Sequence, residues 1–164
     1  MSPLTAAATY ERARRLANLA VWSVDLQCRR LRSTEPEDEV FLFRKWADFG
    51  FLVVALTRLR RAASLAAELP EIRLLVQPAL RQFDLSVPDL KRMRDVAEHI
   101  DDYALDRGRS RSVARNSLEV SSLNDDGPTL EWLEARLNAE EALHAAQRLF
   151  RAIQEASSAF QPRT

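Results

Sequence analysis

The chain is poor in the residues that most often announce chemistry: one cysteine, three glycines and two histidines in 164 residues. A lone cysteine, Cys28, excludes an internal disulfide and points to a reducing compartment, the cytoplasm. It falls within an amphipathic helical pattern and reads as a small core residue rather than a nucleophile. With so little glycine there is no phosphate-cradling loop, and no GxSxG elbow occurs. Glu98, His99 and Asp102 could gather around an ion, but neither a second histidine four residues on nor a cysteine pair completes a ligand set. Neither a metal site nor a cofactor is expected.

Net charge is lacking as well. Arginine and lysine total 24 against 24 acids, so no overall field draws the protein to nucleic acid or membrane. Lysine itself is scarce; apart from Lys45 and Lys91, every basic residue is an arginine. Long apolar runs are missing too. Val40–Leu59 is the most apolar stretch, yet Arg44, Lys45, Asp48 and Arg58 interrupt it, so it reads as a buried helix and not a membrane span. The opening MSPLTAAATYERARR has no apolar core before a cleavage site and is not expected to be a signal peptide.

What remains is hydrophobic content of 46% arranged mostly with helical period, enough for one domain over residues 1–164. Tyr10, Ala13, Ala17, Ala20, Val24, Cys28 and Leu31 predict a first helix from about Leu4 to Arg32. Leu16, Leu19, Trp22 and Leu26 widen its stripe, so it should pack on more than one neighbour. Ser33 or Thr34 can cap a second helix over about Pro36–Leu69, with Pro36 in its first turn. Gly50 in its middle predicts a close helix crossing or a mild kink. A third helix starts at Pro70, and Pro78 should kink or divide it.

The fourth helix begins near Val87–Asp89 with Ser86 as a possible cap, and Gly108 is placed to end it. Residues 109–134 lose the helical period. Ser117–Leu123, an NDDG turn and the segment TLEWLE predict a short β-hairpin. Asn138, with Glu141 three residues on, opens a last helix through a capping box. A frayed tail is expected over 160–164. The fold class is therefore all-α, a four- to five-helix up-and-down bundle with a small β-hairpin before the last helix.

Leu90–Arg107 is the segment richest in chemistry, because it joins His99 to Arg92 and Arg94. Wound at about 100° per residue, Leu90, Met93, Ala97, Ile100 and Ala104 form the core stripe. Arg94, Glu98 and Asp101 lie opposite. Arg92, Val96, His99 and Tyr103 form a second stripe with Asp95 on its edge, half apolar and suited to a surface that a partner covers or that lines a cleft. Arg94 and His99 stand about 140° apart around the axis, so their meeting would depend on arginine's reach or on a second subunit. The plain structural account is a set of ion pairs, Arg92–Asp95 and Arg94–Glu98, with His99 bonding Asp95 or Asp102 on a solvated face.

Arg94–Asp95–Val96–Ala97–Glu98–His99 resembles the arginine–polar–histidine motif of HEPN domains, all-helical bundles many of which are metal-independent ribonucleases of toxin or defence systems. The resemblance implies that His99 serves in acid–base cleavage and Arg94 holds the scissile phosphate, with Arg92, Asp95 and Tyr103 in support and the site completed across a homodimer. A tyrosine two residues after the histidine marks one branch of that family; here Asp101 stands there and Tyr103 comes two later. Downstream, Arg107, Arg109, Arg111 and Arg115 crowd a serine-rich loop that could follow an RNA backbone, or merely offset Glu98, Asp101, Asp102 and Asp106. His144 reads as a surface residue. The leading expectation is a non-enzymatic or degenerate HEPN-like protein that self-associates through its fourth helix, with RNA or another protein as partner. The rival is an active ribonuclease using Arg94 and His99.

Overall fold

A computed structural model describes residues 3–119, 121–124 and 128–160. The described residues are mainly helical with a small antiparallel sheet before the last helix, as the sequence leads one to expect, and form six α-helices where four or five were expected. Helix α1 covers Pro3–Arg32, α2 Phe43–Ala67, α3 Arg73–Ser86, α4 Leu90–Glu98, α5 Ile100–Ala104 and α6 Ala139–Glu155. Helix α1 packs along α2, and α6 lies against α1, α2 and α3.

Small side chains set the closeness of the α1 packing. Ala6, Ala13, Ala17 and Ala20 are buried along one face, together with Val24, Cys28 and Leu31. Tyr10, on the same face, donates its hydroxyl to the Ile153 carbonyl at 2.8 Å and stacks on Phe160. From α2, Phe49, Leu52, Leu56, Leu59 and Ala63 fill the centre, and α6 adds Ala142, Ala146, Leu149 and Ile153.

The start of the second helix departs from expectation. Pro36–Glu39 forms a separate 3-10 turn, capped by Glu35 and Asp38 rather than by Ser33 or Thr34, and α2 begins only at Phe43. A buried carboxylate anchors this corner: Asp48 accepts from Arg30 Nε at 2.7 Å and from Arg44 Nη1 at 3.2 Å. Arg44 also donates to the Arg30 and Ser33 carbonyls and pairs with Asp38, tying α1, the 3-10 turn and α2 together. Gly50 serves no close crossing, since a Cβ there would meet nothing within 4 Å. Helix α3 starts at Arg73, not Pro70, and runs undivided through Pro78.

The predicted hairpin is one strand short of the truth. Strands β1 (Ser121–Asn124), β2 (Thr129–Trp132) and β3 (Ala135–Asn138) form a sheet in sequence order, with Leu123 opposite Leu130 and Leu130 opposite Leu137. Most of the predicted NDDG turn lies outside the described residues, as does the tail beyond Phe160. Between β2 and β3 the chain reverses over Leu133 and Glu134, both at φ 58°. Two consecutive left-handed residues make the turn that matches strand twist, normally filled by Asn and Gly. Asn138 then ends β3 and caps α6, its Oδ1 accepting from the Glu140 and Glu141 amides at 3.0 Å each.

Candidate functional site

The segment that carries the motif is two helices, because the backbone leaves helical geometry at His99 (φ −127°, ψ 35°). Leu90 and Met93 enter the main core as expected. Beyond them the expected faces exchange roles. Val96 and Tyr103, read as a surface stripe, are buried with Leu133 in a second small cluster backed by Val113, Leu118 and Trp132. Ala97, Ile100 and Ala104, read as core, are exposed. The cause is that Val113, Leu118, Trp132 and Leu133 fold over Val96 and Tyr103 of the second stripe. Trp132 Nε1 donates to the Leu118 carbonyl at 3.0 Å, and the Ser110 amide donates to the Tyr103 hydroxyl at 3.3 Å.

Helix α5 closes without Gly108. Asp106, at φ 56°, takes the left-handed position, with Arg107 N–H on the Asp102 carbonyl at 2.8 Å and Asp106 N–H on the Tyr103 carbonyl at 3.1 Å. This is the Schellman pattern with aspartate where glycine is usual. Gly108 instead makes room for the Tyr103 ring, whose Cδ1 would lie 2.2 Å from a Cβ placed there.

Arg94 is held inside its own helix. It pairs with Glu98 at 2.8 Å and Asp95 at 2.7 Å, and it holds the Glu98 carboxyl below the usual range. Arg92 pairs with Asp89 at 2.9 Å, not with Asp95. The Nε atoms of both arginines are buried without a hydrogen-bond partner. His99 is exposed, and among the described residues it forms no side-chain bond to Arg94, Asp95 or Asp102. The motif is thus dispersed within one chain. Arg94 lines a cleft of about 440 Å³, Arg92 a different one of about 220 Å³, and His99 lines neither.

Arg107, Arg109, Arg111 and Arg115 are all exposed along the turn-rich segment that ends at Leu118. His144 is exposed on α6. Among the described residues no group of three potential metal ligands converges, and no helix is long and apolar enough to cross a membrane.

The larger cleft brings in residues that the motif does not contain. Arg60, Arg61, Asp84 and Lys91 share its walls with Arg94. Asp84 clamps Arg60 through two bonds, at 2.7 and 2.8 Å. Among the described residues Arg61 and Lys91 form no salt bridge, although Arg61 helps to hold down the Glu98 carboxyl. The arrangement is a basic pocket chemically able to take an anion. Its sequence signal is the basic run Arg58–Leu59–Arg60–Arg61, far from Arg94 in the chain. A second hollow, of about 290 Å³ and almost wholly apolar, is lined by Trp46, Gly50, Met93, Ala97, Leu118 and Trp132 among others. Comparison with protein-family models, with curated proteins and with solved structures gave no match to this chain.

Proposed function

We propose that the chain is a helical-bundle interaction protein, a degenerate HEPN-like domain that self-associates through its fourth helix. The contact uses the exposed Ala97–Ile100–Ala104 face in place of the stripe read from the sequence, since Val96 and Tyr103 are internal. The observation that carries this reading is the apolar hollow at Ala97, three residues in the chain from the exposed Ile100 that opens α5. A knob and a hollow on the same surface suit an isologous dimer, in which each copy gives and receives. Arg94, meanwhile, is already engaged by two carboxylates, which leaves its guanidinium little freedom for a phosphate.

One observation favours the ribonuclease reading: Arg94 borders the basic cleft with Arg61 and Lys91. One experiment separates the two. A mixed RNA pool is incubated in EDTA with wild type and with His99→Ala, while light scattering follows wild type and Ile100→Asp. The interaction reading expects no cleavage by either protein and a dimer that Ile100→Asp converts to monomer. Cleavage by wild type, lost in His99→Ala, establishes the enzyme. A wild-type monomer at high micromolar concentration removes self-association.

A further inference from the structure

The face of α1 opposite the core is apolar and has no partner among the described residues. The buried residues of α1 centre on Ala17 and Val24. Leu16, Leu19, Trp22 and Leu26 project on the other side, with Leu19 66% and Trp22 63% exposed. These are the residues that call for a second neighbour along α1, and the described residues supply none. Phe51 and Arg58, seven residues apart on α2, share one face of that helix. Leu16, Leu19, Ala20 and Ser23 of α1 and Arg58, Arg61 and Ala62 of α2 enclose a groove of about 340 Å³.

Its charge is one-sided. Among the described residues Arg58, Arg61 and Arg12, one turn before Leu16, form no salt bridge, and no acid lines the groove; Glu98, whose carboxyl Arg61 helps to hold down, is already paired with Arg94. The acids nearest on α1, Glu11 and Asp25, are already engaged by Arg14, Arg15 and Arg29. An exposed apolar stripe of this size is normally covered. A second copy is a poor cover. Laid antiparallel about the middle of the stripe, it brings no unengaged acid to Arg12, because Glu11 and Asp25 are already held by arginines of their own helix, and each copy's arginine wall has no acid to face.

We infer that the α1–α2 groove docks an acidic amphipathic helix of another protein, its apolar stripe on Leu16, Leu19, Trp22 and Leu26 and its carboxylates on Arg58 and Arg61. The mode is helix in groove, with anchors at three- and four-residue spacing. This surface is separate from the α4 contact and does not depend on it.

The test is a display library of amphipathic helices about 14 residues long, enough to span the roughly 15 Å from Leu16 to Leu26. Its apolar positions vary among Leu, Ile, Phe, Met and Ala, and its flanking positions among Glu, Lys and Ser. Selection against the full chain should enrich Glu on the flank. The enriched peptide should move amide resonances of α1 and α2. Its Kd should rise at least tenfold in Arg58→Glu/Arg61→Glu, and binding should be lost in Leu19→Ser. Both variants alter exposed side chains and should keep the wild-type circular dichroism. Failure to enrich any peptide, enrichment of Lys, or shifts mapping elsewhere overturns the inference. So do two other outcomes sensitive to Leu19→Ser: a dimer that the substitution dissolves, which assigns the face to a second copy, and binding to phosphatidylserine vesicles that it abolishes, which assigns it to a lipid surface.

Discussion

At Cys28 burial decides the chemistry. Its thiol lies in the α1 core face 3.3 Å from the Ala139 carbonyl, and burial pushes it up to about 11. The folded protein therefore keeps the proton from pH 9.0, the ordinary value for this group, up to about 11, while the unfolded chain loses it. Two outcomes are expected. Alkylation at neutral pH should proceed only as fast as the chain unfolds, so denaturant should accelerate it steeply. Stability should also decline across that alkaline window, and Cys28→Ala should remove this part of the decline. Denaturant melts of both proteins at several pH values check it. The core placement of Cys28 was legible from its place in the stripe. The ion pairs around the motif were half legible. Arg94–Glu98 follows from four-residue spacing, whereas Arg92 had acids three residues away on both sides and the pattern could not choose Asp89 over Asp95.

Two glycines show how far an element can be read before its neighbours are known. Gly50 and Gly108 both invite a backbone explanation. At Gly50 a Cβ has open space, so Gly50→Ala should stabilise the protein by about 0.5–1 kcal/mol through the helical preference of alanine. At Gly108 a Cβ would strike the Tyr103 ring, so Gly108→Ala should destabilise by about 1–3 kcal/mol. Urea melts of the two variants, expected to shift in opposite directions, test both. The helices were legible because their apolar periods run for several turns, and Asn138 announced its cap directly. The third strand was not legible. Leu133 and Glu134 occupy left-handed positions at a cost of about 1–2 kcal/mol each, and neither is a turn-forming residue. Burial of Leu133 against Val96 and Tyr103 opposes that cost, and this is a tertiary contact that no local pattern contains.

Across the whole molecule the core is divided. A large cluster runs through α1, α2, α3 and α6, while Val96, Tyr103 and Leu133 form a small one under the 109–138 segment. Few apolar contacts hold the small cluster, so it should open by itself. Hydrogen exchange should show the Val96 and Tyr103 amides releasing well before those of Leu52–Leu59, with an opening free energy several kcal/mol below the global value. Equal protection in both regions would mean a single cooperative unit. Scale also explains the limits of the sequence for function. The basic cleft gathers α2, α3 and α4, so its Arg61 and Lys91 meet only through the fold. The apolar outer face of α1, by contrast, was visible as four surplus hydrophobic residues, although its occupant was not.

The position of α6 in this architecture bears on how the chain is made. Synthesis delivers α1, α2 and α3 first, yet all three bury part of their apolar surface against Ala139–Glu155. Until α6 emerges, the alanine face of α1 and the Tyr10 hydroxyl have no lid. The nascent chain is thus a half-built bundle until α6 leaves the ribosome, and that interval is its most aggregation-prone. Truncations that remove α6 should accumulate as chaperone substrates rather than as smaller folded proteins.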